Sequence, residues 1–115
     1  MYPVKDMDRA RNFYENTLGL KVGGIFESPK EIWVEYDLPE GGCLALAKFA
    51  DRALEPSANS GGIAFEVENL DKMLDELKAK NVTIKMDKFN TEVCSIAVIL
   101  DSEGNAITLH KLKNK

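Results

Sequence analysis

The sequence predicts an α+β protein in which one βαβββ module is used twice. Two pairs of similar segments indicate the duplication: VKDMDR begins at Val4 and VENLDK at Val67, while GGCLALAKF begins at Gly41 and GNAITLHKL at Gly104. Both pairs are separated by the same 63 residues (67 − 4 and 104 − 41). Two separate matches at one spacing are typical of an internal repeat.

The repeat divides the 115 residues into two modules. We assign residues 1–50 to the first module, residues 51–60 to a linker and residues 61–115 to the second. The linker is rich in Pro, Ser and Asn, which supply turn geometry rather than periodic burial. With 44% hydrophobic residues, the chain can form one globular domain, or two small halves that share a core.

Each module begins with a short strand and a helix. Asp6 and Asn69 stand where a side-chain oxygen can cap the first helical turn. Gly19 and Asn81 tolerate the left-handed backbone that often ends a helix. Between them, apolar residues recur at helical spacing: Met7, Ala10, Tyr14 and Leu18 in the first module, and Leu70, Met73, Leu74 and Leu77 in the second.

Three strand-like segments follow each helix and complete the two modules. Turn sequences such as SPK, PEGG and DSEGN separate them. The segments are LKVGGIFES, EIWVEYDL and CLALAKF in the first module, and VTIKMDKF, EVCSIAVIL and AITLHKL in the second.

Charge and composition exclude several functions. The net charge is −4, and the 15 basic residues are scattered, so no basic stripe could follow a nucleic-acid backbone. The sequence shows no signal peptide and no apolar run of about 18 residues. We therefore expect a soluble, cytoplasmic protein that binds neither nucleic acid nor membrane. Cys43 and Cys94 lack CxxC spacing, and we expect free thiols used for packing.

The opening DMDRARNFYENTLGLKV and the ending DSEGNAITLH resemble motifs of the vicinal oxygen chelate superfamily, which includes glyoxalases, bleomycin resistance proteins and extradiol dioxygenases. The resemblance covers essentially the whole chain. It implies two βαβββ modules whose curled sheets form an incomplete barrel around a cleft. It also implies a homodimer.

Enzymes of this superfamily hold a divalent metal through four His or Glu side chains, one on the first and one on the last strand of each module. Carried over by resemblance, one position falls before Met1, and the others fall on Ala45, Gly62 and Thr108. None of these three is a ligand type. The resemblance therefore implies no metal and no cofactor in this chain.

His110 is the only histidine and lies two residues beyond Thr108, so the two side chains share a face of the strand. If the first and last strands of the module are adjacent, as the resemblance implies, Glu66 lies near His110. The pair could relay protons or be an ordinary surface ion pair, and the second interpretation is favoured. Alone, His110 is a hydrogen-bonded or pocket-lining histidine rather than a metal site.

Trp33 and Glu35 alternate with Ile32, Val34 and Tyr36, which are expected to pack under the helix. Trp33 would then face the cleft, where an aromatic wall with an acidic neighbour suits a planar or cationic ligand. Trp33 as a core or dimer contact is an equal alternative. Cys43 shares the face of Ala45, and packing is favoured over a catalytic thiol because no nearby basic residue activates it.

Two functions follow as hypotheses. The favoured one is metal-free binding of a small organic molecule in a dimeric cleft. The alternative is a metal-dependent lyase, isomerase or dioxygenase of the same superfamily. The predicted cleft residues are Trp33, Glu35, Cys43, Ala45, Gly62, Glu66, Thr108 and His110.

Overall fold

The computed structural model describes residues 1–39, 41–50, 55–57 and 62–113. Most of the predicted linker, residues 51–54 and 58–60, lies outside the described residues. The chain divides into two compact units, Met1–Pro56 and Ser57–Lys115. No helix in the described part of the chain is long and apolar enough to cross a membrane.

The first unit contains one four-stranded mixed sheet and one helical segment. The sheet order is β1-β4-β3-β2, with β1 parallel to β4 and the other pairs antiparallel. Its elements are β1 (Tyr2–Pro3), α1 (Met7–Asn12), a π-helical segment (Phe13–Thr17), β2 (Lys21–Ser28), β3 (Glu31–Asp37) and β4 (Cys43–Phe49).

The second unit repeats this arrangement with the order β5-β8-β7-β6. Its elements are β5 (Ile63–Glu66), α2 (Leu70–Ala79), β6 (Ile84–Asn90), β7 (Cys94–Leu100) and β8 (Ala106–Leu112). The predicted α+β class with two βαβββ modules is confirmed. The strands form two separate four-stranded sheets.

The sequence repeat extends to the pairing of the strands. Strands β3 and β7 begin 63 residues apart, and so do β4 and β8. In the first unit Glu31 lies opposite Phe49, and in the second Cys94 lies opposite Leu112. Both members of the second pair are 63 residues beyond those of the first. A residue at one position of the repeat therefore faces the same way as its counterpart.

Both predicted helix caps are present. Arg9 N–H donates to Asp6 Oδ1 at 3.0 Å, and Lys72 N–H donates to Asn69 Oδ1 at the same distance. Each bond satisfies a backbone donor that the first helical turn leaves without a partner. At the other ends, Gly19 and Asn81 have φ values of 74° and 63°. They adopt the left-handed backbone predicted for them.

One face of each sheet packs under the helical segment of its unit. In the first unit Tyr14 stacks on Tyr36 with 5.8 Å between the ring centroids. The Tyr36 hydroxyl donates to Glu15 Oε2 at 2.9 Å, and burial raises the pKa of this hydroxyl. The Arg11 guanidinium, hydrogen-bonded to Glu15, lowers the pKa of that carboxyl. We call the opposite face of each sheet its open face.

Candidate functional site

The open face of the first sheet carries Trp33 and Glu35. Val34 and Tyr36, which alternate with them, are fully buried on the helix-packed face, so Trp33 and Glu35 point the other way. Across the sheet, Trp33 is paired with Phe26 and Ala47. This row places two aromatic side chains next to each other on the open face.

Glu35 lies between two small residues. It is paired with Gly24 on β2 and Ala45 on β4. A Cβ built on Gly24 would meet nothing within 4 Å, so there is open space beside the carboxylate. The Trp33 indole Nε1–H donates to Glu35 Oε2 at 2.7 Å. The bond ties the indole to the carboxylate, and both side chains are only partly buried.

The open face of the second sheet carries four of the predicted residues, Gly62, Glu66, Thr108 and His110. Thr108 is paired with Ala64, and His110 with Glu66 and Ile96. Gly62 directly precedes β5 and is exposed. By strand alternation it shares this face with Ala64.

Glu66 and His110 are in direct contact, because the first and last strands of the module, β5 and β8, are adjacent and pair these two residues. His110 Nδ1 lies 2.6 Å from Glu66 Oε1, and 30% of the surface of each side chain is exposed. The second carboxylate oxygen, Oε2, accepts the backbone N–H of Leu112 at 3.0 Å. The carboxylate is therefore held by the backbone as well as by the imidazole.

The three positions that the sequence resemblance assigns to metal ligands carry side chains that do not fit a divalent metal. Ala45 offers a methyl group, Gly62 has no side chain, and Thr108 offers a neutral hydroxyl. Zinc and similar metals in proteins prefer imidazole, thiolate or carboxylate. Within the described ranges, no three His, Cys, Asp or Glu side chains lie close enough together to hold a metal ion.

Cys43 differs from its prediction as a packed residue. It is exposed, because β4 begins there, directly after the turn at Gly41 and Gly42, and its face is not covered at that point. Cys94 is partly buried, and its Sγ lies 3.2 Å from Thr91 Oγ1. Both thiols are free, as predicted.

Two open-face aromatic residues were missed in the sequence. Phe26 on β2 and Phe89 on β6 are each 56% exposed, and Phe89 is paired with Ile96. They lie 63 residues apart, so the repeat spacing relates one to the other. Applied to Phe26, it gives Phe89 directly.

Comparison with known proteins identifies one family. The model of the Glyoxalase/Bleomycin resistance protein/Dioxygenase superfamily matches residues 1–109. A comparison with curated proteins finds no match.

Solved structures of this fold are similar over almost the whole chain. Glyoxalase I of Leishmania major is 25% identical, with 97% of this chain and 83% of that chain covered and a TM-score of 0.79. A glyoxalase/bleomycin resistance protein/dioxygenase domain from Frankia sp. EAN1pec is 17% identical, with 96% and 92% covered and a TM-score of 0.79. TnmS3, an antibiotic-binding protein from Streptomyces sp. CB03234, is 22% identical, with 97% and 91% covered and a TM-score of 0.77.

Proposed function

Because this chain belongs to the glyoxalase/bleomycin resistance protein/dioxygenase superfamily, we propose that it binds a small organic molecule without a metal, on the open faces of its sheets. The observation that carries the proposal is the Trp33–Glu35 pair. The indole Nε1–H donates a 2.7 Å hydrogen bond to the carboxylate, and there is open space beside this pair at Gly24. An aromatic plane next to a negative charge favours a flat, cationic ligand.

The residues at the metal positions support a metal-free role. A Lewis-acid reaction needs a fixed set of ligands with one open coordination position, and Ala45, Gly62 and Thr108 supply no such set. The alternative is a metal-dependent lyase, isomerase or dioxygenase. Its support is the 25% identity to a glyoxalase I. A measurement of metal binding distinguishes the metal-free binding protein from the metal-dependent enzyme.

The proposed binding unit is a homodimer in which a second copy completes the cleft. Exposed aromatic side chains support it. Phe26 and Phe89, more than half exposed, lie on the open faces of the edge strands β2 and β6. A stable interface buries about 1,200 Å² or more, and these side chains are suited to its apolar part.

The proposed ligand class predicts a preference for positive charge. Trp33 is the only tryptophan, so its fluorescence reports directly on this face. We expect N-methylquinolinium to bind about five to ten times more tightly than neutral quinoline, because the cation gains about 1 kcal/mol from the indole and the carboxylate. In Glu35→Gln this advantage should fall below about twofold, since the amide still accepts the indole N–H but carries no charge.

Glu27→Gln is the matched control. Glu27 is paired with Ile32, which lies on the helix-packed side, so its charge is remote from Trp33 and the preference should be kept. Equal affinity for the two compounds in the unsubstituted protein would contradict the proposed ligand class.

A further inference from the structure

At least two different hydrogen bonds hold the carboxylate of Glu66. Strand β5 ends at Glu66, while β8 continues to Leu112, so the backbone N–H of Leu112 points beyond the end of its neighbour. Glu66 Oε2 accepts that N–H at 3.0 Å. Oε1 then lies 2.6 Å from His110 Nδ1. The backbone bond determines where the carboxylate is, and the carboxylate determines how the imidazole is oriented.

This contact also selects one tautomer of the neutral imidazole. An ionised carboxylate can only accept hydrogen bonds, so Nδ1 must carry the proton that lies between it and Glu66 Oε1. The other ring nitrogen of His110, Nε2, then keeps its lone pair and is an acceptor. The structure gives Nε2 no hydrogen bond among the described residues, in which every buried side-chain nitrogen or oxygen has a partner. Nε2 is therefore accessible.

The open face around His110 is mostly apolar. Ile96 lies directly across the strand pair, and Phe89 lies beside Ile96. Thr108 and Leu112 flank His110 along β8. The ionisable groups on this face of β5, β7 and β8 are Glu66 and Cys94 besides His110 itself. A ligand that covers this surface without a hydrogen-bond donor would leave Nε2 without a partner, which is unfavourable.

We propose that Glu66 holds His110 in the Nδ1–H tautomer, so that Nε2 selects small aromatic ligands that carry a hydroxyl group. The inference rests on the proposed function, because it assumes that the open face binds a small organic molecule. It assigns the chemical class of a ligand on the open face of the second sheet: a planar ring contacts Phe89 and Ile96, and its hydroxyl donates to Nε2. Glu66 is a positioning residue that acts through His110.

The substitution Glu66→Gln tests the positioning role without a ligand. The Leu112 N–H still needs an oxygen, so the amide oxygen should take that bond and the amide NH₂ should face His110 Nδ1. Nδ1 must then accept, and the ring proton moves to Nε2. His110 is the only histidine, so ¹⁵N spectra of labelled imidazole report it alone. Spectra are recorded at about pH 8.5, well above the ordinary histidine pKa of about 6.5.

We expect the Nδ1–H tautomer in the unsubstituted protein and the Nε2–H tautomer in Glu66→Gln. Glu68→Gln is the matched control, because Glu68 is exposed and lies beyond the end of β5. It should keep the Nδ1–H tautomer. An Nε2–H tautomer in the unsubstituted protein, or the same tautomer in all three proteins, would overturn the proposal.

The ligand preference should change together with the tautomer. The probes are 2-naphthol, whose hydroxyl can donate a hydrogen bond, and 2-methoxynaphthalene, in which a methyl group replaces the hydroxyl proton. Calorimetric titration should show that the unsubstituted protein binds 2-naphthol about five times more tightly, the range of one net hydrogen bond. Glu66→Gln should remove or reverse this preference, and His110→Ala should remove it while both compounds still bind.

The possible failures are distinguishable. If both naphthalene compounds bind to the unsubstituted protein with equal affinity, the selection by His110 is overturned and the proposed binding function stands. If neither naphthalene compound binds, the selection by His110 is overturned, and if N-methylquinolinium does not bind either, the proposed binding function is overturned as well. A preference for 2-naphthol that persists in His110→Ala would assign the hydroxyl to another partner and overturn the role of Nε2.

Discussion

Replacing Trp33 by alanine is expected to weaken the binding of N-methylquinolinium by a factor of about 5 to 150. The indole supplies the aromatic plane of the first open face, and stacking of a flat ring on such a plane contributes about 1–3 kcal/mol. It also donates the 2.7 Å hydrogen bond to Glu35, so its removal releases the carboxylate. Because the variant lacks the only tryptophan, binding is measured by calorimetry.

Trp33→Phe is the matched control for this result. Phenylalanine keeps an aromatic plane and loses the indole N–H, so we expect an intermediate affinity, reduced about threefold from loss of one hydrogen bond. Thermal unfolding should show that both variants remain folded. Unchanged affinity in a folded Trp33→Ala variant would show that the ligand does not contact this face.

Replacing Asn105 by alanine is expected to lower the free energy of unfolding by about 2–3 kcal/mol. Asn105 is fully buried. Its Oδ1 accepts the Ser57 N–H at 3.1 Å, and its Nδ2 donates to Asp101 Oδ2 at the same distance. Asp101 Oδ1 in turn accepts the backbone N–H groups of Glu103 and Asn105 at 2.8 Å. Truncation removes one buried and one partly buried hydrogen bond and leaves a cavity, and both effects are destabilising.

Asn12→Ala provides the comparison for Asn105. Asn12 is exposed and bonds only locally, accepting from Asn16 one helical turn away. We expect a change within about 0.5 kcal/mol, measured by urea unfolding of both variants under the same conditions. Equal effects at the two positions would show that the turn of residues 101–105 does not stabilise the second unit.

The fold was predictable from the sequence because the same local signals occur twice. Asp6 and Asn69 each mark a helix start, and Gly19 and Asn81 each mark a helix end. A signal that recurs at a constant spacing is unlikely to arise by chance, and consistent local signals specify one structure. The equal strand register of the two units follows from the same repetition.

Three features depend on tertiary structure and could not be predicted. The π-helical segment Phe13–Thr17 continues α1 without any distinctive sequence signal. The register shift between Val22 and Gly24 changes which β2 residues lie on the open face. Cys43 is exposed because it is the first residue of β4, where its face is not covered. Its apolar neighbours in the sequence had predicted burial.

The site was predictable only in part for a related reason. Strand alternation placed Trp33 beside Glu35, and the expected strand order placed Glu66 beside His110. The bond from the Leu112 N–H to Glu66 requires β8 to extend past the end of β5. Strand ends are set by packing, so the contact geometry from which the tautomer of His110 is inferred could be recognised only in the structure.

Metal binding at equilibrium tests the central claim of metal-free binding most directly. The purified protein is dialysed separately against zinc, nickel, iron(II) and manganese salts, and the metal inside and outside the membrane is measured by elemental analysis. We expect no stoichiometric excess inside, because Ala45, Gly62 and Thr108 supply no metal ligands. One equivalent of metal retained per chain, and lost in His110→Ala, would contradict the account and favour the metal-dependent enzyme.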